Sequence, residues 1–206
     1  MSKRIITVIV LVGLALSVIY TFTNNRPALE GYAESILKKR QETDTSFKND
    51  KDSPLTDEQK KVFTALSYYD ISEKYKVIAD FAINDTQQII KMAITDGSQR
   101  EYYIYGTARF KLDNMELKLT VYKPVDLNKK YFFIPFYDKT SGDTSYGGGR
   151  YVEPELLNSG RMEIDFNLAY NPYCAYNHTY RCPIPPAENS LDVAITAGEK
   201  IPGFVK

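Results

Sequence analysis

The stretch of residues 138–189 contains the most chemically unusual sequence of this chain, and the rest is organised around it. Its three distinctive parts read DKTSGDTSYGGGR (138–150), IDFNLAYNPYC (164–174) and RCPIPPAEN (181–189). The stretch holds three consecutive glycines, both cysteines and the only histidine of the protein. The flanking sequence is ordinary by comparison. We therefore expect any functional site to lie here.

Composition narrows the class of protein. The 206 residues contain 26 Lys and Arg against 26 Asp and Glu, so no global positive field favours nucleic acid as a partner. Seventeen Tyr and ten Phe are present without any Trp. Tyr favours strands and half-wet pockets because its ring is buried while its hydroxyl needs a hydrogen-bond partner. The composition predicts a β-rich globular domain.

The N-terminal segment predicts a membrane location. Residues 5–22 contain no charge and follow Lys3 and Arg4. A helix of this length reaches roughly 27 Å, close to the hydrocarbon thickness of a bilayer. Positive charges stay on the cytoplasmic side. We expect residues 1–23 to be a single-pass anchor in a bacterial cytoplasmic membrane and residues 24–206 to form one extracytoplasmic domain. The alternative is a secreted or periplasmic protein, released by cleavage after the small residues near Ala15 and Ser17.

The order of elements predicts an α+β fold that is mainly β. Apolar residues at helical spacing predict an amphipathic helix over residues 29–40, and residues 43–53 are predicted to be a loop. Thr56 followed by Gln59 predicts a capped second helix with Val62, Phe63 and Leu66 buried. Short strands joined by turns follow, and we expect an antiparallel sheet curled into a partial barrel or sandwich. The predicted strands cover residues 76–82, 89–94, 101–112, 117–121, 131–136, 164–167 and 191–195.

One combination of residues covers nearly everything after the anchor: Phe136, Asp138, 140–142, Thr144, Tyr146, 149–151, 165–167, 169–172, Cys174, 182–183, 185–186, 188–189 and 197–200, with 53–56 and 105–106 as earlier landmarks. In this combination the chain resembles a family of bacterial and archaeal proteins known as domain of unknown function 1684. The resemblance implies no established reaction, substrate or cofactor.

The two cysteines have three interpretations. In an oxidising compartment, Cys174 and Cys182 are predicted to form one disulfide across a short loop. Free or redox-active thiols are the second interpretation. The third is a metal site, because Cys174, His178 and Cys182 are evenly spaced, although three ligands leave the fourth position open. We expect no bound metal or other cofactor.

The polar residues of the stretch predict a ligand pocket. Successive glycines before Arg150 can direct backbone N–H groups at an anion, although a tight turn with Arg150 paired to Asp138 or Asp165 explains the same sequence. Asp165 and Asn167 alternate with apolar neighbours, which places them on one sheet face. The predicted ligand-binding residues are Arg150, Asp165, Asn167, Tyr170 and Asn171.

Three functions remain open from the sequence. The first is a membrane-tethered domain that binds a small polar or anionic ligand. The second is a hydrolase or metal-assisted enzyme that uses Asp165 and Glu188 for acid–base chemistry. The third is a structural envelope protein whose polar residues only brace the fold. The sequence does not specify the oligomeric state.

Overall fold

The computed structural model describes the backbone of residues 3–86, 88–126, 128, 131–158 and 160–203, and the side chains of these residues except 3–10 and 15–29. The chain divides into two compact units, one of residues 1–42 and one of residues 43–206. The second unit is mainly β with antiparallel sheets and few helices, which confirms the predicted fold class.

Helix α1 covers Lys3–Asn49 and is longer than predicted. The sequence of residues 43–49 was predicted to be a loop because it is polar, but it contains neither Gly nor Pro. Phe47 is buried, and its ring packs against Phe63 and Tyr176, with centroids 6.2 and 5.0 Å away. Tertiary packing of this one aromatic residue therefore favours helix where the local pattern did not.

The predicted anchor, residues 1–23, falls mainly on side chains outside those described. Among the described residues, no helix has both the length and the apolar character needed to cross a membrane.

Helix α2 covers Asp57–Val62 and confirms the predicted cap. The Thr56 hydroxyl accepts a hydrogen bond from the Gln59 backbone N–H, and the Gln59 side chain accepts one from the Thr56 backbone. Phe63 and Leu66 are buried, but both lie beyond the end of the helix. Val62 is exposed, so its predicted burial is wrong.

The main sheet has six strands: β1 Lys76–Ile83, β2 Ile89–Ala93, β3 Gln99–Leu112, β4 Met115–Pro124, β7 Glu155–Leu157 and β8 Arg161–Asp165. Their order is β2-β3-β1-β8-β7, with β4 paired to the other side of β3. One face of each central strand is buried, so buried and exposed side chains alternate along it. A register shift interrupts the pairing of β3 with β4 between Ile104 and Gly106.

A second sheet has two strands, β5 Ile134–Phe136 and β6 Arg150–Val152. Both contribute to the main core, which also contains the inner faces of β1, β3, β4 and β8. The main sheet does not close into a barrel. Residues 191–195 were predicted as a strand but belong to no strand in the structure. Two backbone hydrogen bonds anchor this segment: the Leu191 N–H donates to the Tyr137 carbonyl oxygen at 2.8 Å, and the Val193 carbonyl oxygen accepts from the Lys139 N–H at 3.0 Å.

Candidate functional site

Arg150 is fully buried at the start of β6, and its guanidinium group braces the C-terminal segment. One terminal nitrogen binds the Asp138 carboxylate and the Ile195 carbonyl oxygen, both at 2.8 Å. The other binds the carbonyl oxygens of Ala197 and Glu199. Arg150 therefore has the ion-paired arrangement with Asp138 that was the alternative to anion binding. Its charge is used within the fold.

The glycine run before Arg150 has a packing role. A Cβ atom on Gly148 would lie 2.4 Å from the Tyr146 ring. Gly149 has a φ of +82°, and a Cβ atom there would lie 2.7 Å from the Phe136 carbonyl oxygen and from the Pro185 ring. A side chain at either position requires the backbone or a neighbouring ring to move. These glycines admit neighbouring rings and a left-handed turn.

Asp165 and Asn167 hold the end of β8 against the segment before β1. The strand ends at Asp165, and Phe166–Leu168 forms a 3₁₀ turn. The Asp165 carboxylate accepts hydrogen bonds from the Asn167 backbone N–H at 3.0 Å and side-chain amide at 3.1 Å. The Asn167 side chain also exchanges two hydrogen bonds with the Ser72 backbone, at 2.8 and 2.9 Å. The predicted strand alternation of these two residues is therefore wrong.

Asn171 belongs to a buried network around Glu199. The Glu199 carboxylate accepts hydrogen bonds from the Tyr176 hydroxyl at 2.6 Å and the Asn171 backbone N–H at 2.8 Å. The Asn171 amide donates to the Tyr176 hydroxyl at 3.2 Å and the Lys200 carbonyl oxygen at 2.8 Å. Burial raises the pKa of Glu199 to about 7, and the two hydrogen bonds and the nearby Arg150 charge oppose the rise.

The five predicted ligand-binding residues do not converge on one cavity. Arg150 and Asn171 both contact the segment of residues 195–200. Asp165 and Asn167 meet Ser72, whereas the Tyr170 hydroxyl donates to Glu153 at 2.9 Å. This geometry is a set of internal braces and gives no support to ligand binding at these residues.

The two predicted catalytic carboxylates bind different partners. Asp165 caps the 3₁₀ turn described above. Glu188 is exposed and accepts a hydrogen bond from the buried Tyr122 hydroxyl at 2.8 Å. Burial and the Glu188 carboxylate both raise the pKa of Tyr122. The acid–base role of these carboxylates remains a prediction.

Cys174 and Cys182 are adjacent, buried, free thiols. The Cys174 backbone N–H donates to the Cys182 sulfur at 3.2 Å. Hydrogen bonds from Cys174 lower the pKa of Cys182 to about 7, whereas the bond to Cys182 and burial raise the pKa of Cys174. The predicted disulfide is not formed in this structure. Among the described residues, which include His178, no three acidic, His or Cys side chains are grouped to hold a metal ion.

A cleft lies where β1 and β3 separate, and sequence reasoning missed it. Their ladder runs only from Asp80 opposite Arg109 to Ile83 opposite Gly106. From Lys76 to Ala79, β1 pairs with β8, while β3 continues alongside β4 to its turn. The gap between the separating strands forms a cavity of about 840 Å³, which we call the β1–β3 cleft. Its volume is in the range of small-molecule sites.

Basic side chains dominate the charged lining of the β1–β3 cleft. Five cations and two acids line it: Lys74, Lys76, Arg109, Lys111 and Lys118, with Asp80 and Glu116.

The sequence contained a signal for two of these cations. Arg109 and Lys118 stand four residues before and after Asp113 and Asn114, whose turn pairs them across the hairpin.

Comparison with known proteins gives a family and a fold without a function. The family model described as "Protein of unknown function (DUF1684)" matches residues 61–200. The solution NMR structure of an uncharacterized protein of Haloarcula marismortui is similar, with 34% sequence identity and a TM-score of 0.67. That similarity covers 84% of this chain and 96% of the archaeal chain. No curated protein matches.

Proposed function

The chain belongs to the DUF1684 family, and we propose that it is a membrane-tethered extracytoplasmic domain that binds a small anionic ligand in the β1–β3 cleft. The proposal moves the ligand away from the glycine-rich stretch, since Arg150 already binds Asp138 and three carbonyl oxygens. The anion instead binds between Arg109 and Lys118.

The observation that carries the proposal is the direct opposition of two cations. Arg109 and Lys118 are register partners on β3 and β4. Side chains at such positions are roughly 5 Å apart at Cβ, and like charges there destabilise the sheet. Within the described part of the chain, neither residue has a carboxylate at ion-pair distance, although Asp80 is the register partner of Arg109 on β1. A bound anion relieves this repulsion and accepts charge-assisted hydrogen bonds from both side chains.

The remaining cations limit the charge of the ligand. Lys74 pairs with Asp113 at 2.7 Å, Lys76 with Glu163 at 3.1 Å, and Lys111 with Glu116 at 3.2 Å. Paired lysines add little net attraction, because their partners offset their charge. Two cations without acidic partners suit a head group of one or two negative charges. A long polyanion such as nucleic acid requires a more extended basic surface.

The location belongs to the same proposal. Residues 1–23 anchor the chain in the bacterial cytoplasmic membrane, and the domain lies on the extracytoplasmic side. Their uncharged run after Lys3 and Arg4 supports this orientation. In that oxidising compartment, the adjacent thiols of Cys174 and Cys182 are joined as a disulfide. Membrane fractionation and thiol alkylation of the full chain from cells test both points. Extraction of the protein from membranes by alkaline buffer contradicts the anchor. Alkylation of both cysteines without prior reduction contradicts the disulfide.

The binding proposal is tested by calorimetric titration of the full chain with inorganic phosphate. Replacing Arg109 or Lys118 with glutamine should weaken binding by about 10- to 100-fold, the range of a lost charge-assisted hydrogen bond. Lys139→Gln is the matched control, because Lys139 is exposed and pairs with Asp192 outside the cleft. Equal binding by all variants contradicts the proposal. Absence of phosphate binding by the wild-type protein leaves the structural role as the better account, which the internal braces around Arg150 support.

A further inference from the structure

The floor of the β1–β3 cleft is apolar. Val77, Phe110 and Leu117 belong to the core-facing side of their strands, yet all three line the cleft. They reach it because β1 pairs with β3 only from Asp80 onward, so before Asp80 no strand closes the sheet over them. A cavity entered from the solvent face therefore extends to side chains of the core.

One exposed apolar side chain stands among the charges of the same cleft. Ile78 is 46% exposed on the solvent-facing side of β1, between Lys76 and Asp80. Exposed Ile at a single position is ordinary on protein surfaces. Here it adds to the floor of Val77, Phe110 and Leu117, so apolar groups from both faces of the sheet line one cavity.

The cleft also has a closed end. Lys74 precedes β1, Asp113 lies in the turn between β3 and β4, and their ion pair of 2.7 Å joins the two separated strands. Arg109 and Lys118 lie four residues away from that turn, where β1 still meets β3. The two unpaired cations and the Lys74–Asp113 bridge thus mark opposite ends of the separated region.

We infer that the ligand of the β1–β3 cleft is a single-chain amphiphile with an anionic head group. This inference rests on the proposed function, because it places the head between Arg109 and Lys118. The apolar chain extends from there along Ile78 and Leu117 toward the Lys74–Asp113 bridge. A purely polar anion would use the cations and leave the exposed side chain of Ile78 and the half-buried side chain of Leu117 in water, whereas an attached apolar chain covers both. Carboxylate and phosphate heads share the required chemistry.

Methyl NMR of the full chain tests the inference at the cleft itself. The protein is held in nanodiscs of neutral phosphatidylcholine, with the Ile and Leu methyl groups labelled. The probes are dodecyl phosphate, dodecanoate and ethyl phosphate, and ethyl phosphate has the same head as the first probe without a long chain. We expect the Ile78 and Leu117 signals to shift with dodecyl phosphate at a concentration at least tenfold lower than with ethyl phosphate. The Ile201 methyl group, 45% exposed and outside the cleft, is the internal control.

The outcomes separate this inference from the proposed function. If dodecyl phosphate and ethyl phosphate half-saturate the protein at equal concentrations, the ligand is not an amphiphile, and the proposal of anion binding stands. Absence of any shift with all three probes overturns both. A comparable shift with neutral dodecyl maltoside overturns the need for an anionic head, and with it the role of Arg109 and Lys118. Whichever of dodecanoate and dodecyl phosphate binds more tightly identifies the preferred head.

Two variants assign the chain and the head to separate residues. Ile78→Thr keeps a β-branched side chain at an exposed strand position and should reduce the preference for the long chain at least threefold, measured at Leu117, with ethyl phosphate binding unchanged. Arg109→Gln should weaken both phosphates by a similar factor. An unchanged chain preference in Ile78→Thr contradicts the placement of the chain.

Discussion

Replacing Glu199 with glutamine should leave the free energy of unfolding nearly unchanged at low pH and raise it at high pH. The Glu199 carboxylate is 3% exposed and accepts hydrogen bonds from Tyr176 and Asn171 on the same oxygen. A glutamine carbonyl oxygen can accept both. At low pH the wild-type carboxyl is protonated and neutral, so the two proteins should then have nearly equal free energies of unfolding.

The magnitude follows from the raised pKa of Glu199, about 7 in the folded protein against an ordinary value of 4.5. A group with a raised folded pKa contributes stability that is fully present below its unfolded pKa. That contribution is lost as the pH rises through the folded pKa. The shift corresponds to roughly 3 kcal/mol between pH 4 and pH 8. Because glutamine does not ionise, Glu199→Gln should be more stable than wild type by that amount at pH 8.

Urea unfolding of the full chain and the variant, measured from pH 4 to pH 8, is the assay. Cys174 and Cys182 are present in both proteins, so their contribution to the pH dependence of stability cancels in the difference. A difference between the two proteins that does not change with pH would refute the reasoning, and so would one that increasingly favours wild type at high pH.

Two further substitutions test the braces of the glycine-rich stretch. Arg150→Met leaves the buried Asp138 carboxylate without its ion-pair partner and should lower the free energy of unfolding by about 3–5 kcal/mol. The control Arg161→Met, at an exposed position, should change it by less than about 0.5 kcal/mol. If urea unfolding shows similar losses of stability for both variants, Arg150 has no bracing role. Gly149→Ala should lower the free energy of unfolding by at least about 1 kcal/mol more than Gly97→Ala. Both glycines have positive φ, but only Gly149 has a carbonyl oxygen 2.7 Å from the added Cβ. Equal losses of stability in thermal unfolding are evidence against that contact.

Sequence patterns predicted the parts of the fold that depend on local chemistry. The β1 to β4 strands alternate because one face is buried, and the turn at Asp113 and Asn114 has the positive φ values that these residues tolerate. The Thr56 cap was also local. Residues 43–49 were assigned incorrectly because burial of Phe47 depends on aromatic rings distant in sequence. Tertiary contacts therefore decided the elements whose local signal was weak.

The candidate site was predicted less well than the fold. The unusual residues around Arg150 suggested a pocket, but Arg150 binds residues 45 to 49 positions further along the chain, which no local pattern reveals. The β1–β3 cleft exists because the first half of β1 pairs with β8 and not with β3. That register joins strands distant in sequence, so no local pattern predicts it. Only the pairing of Arg109 with Lys118 could be predicted from the sequence, because the turn at Asp113 and Asn114 sets which residues of β3 and β4 face each other.

The most direct test of anion binding at the opposed cations is the urea unfolding of wild type and Lys118→Gln, with and without inorganic phosphate at matched ionic strength. Without phosphate, the variant should be more stable by up to about 1 kcal/mol, since it no longer places a like charge opposite Arg109. Phosphate should stabilise wild type and have a much smaller effect on the variant. A variant that is less stable without phosphate, and stabilised by phosphate as much as wild type, would contradict the account.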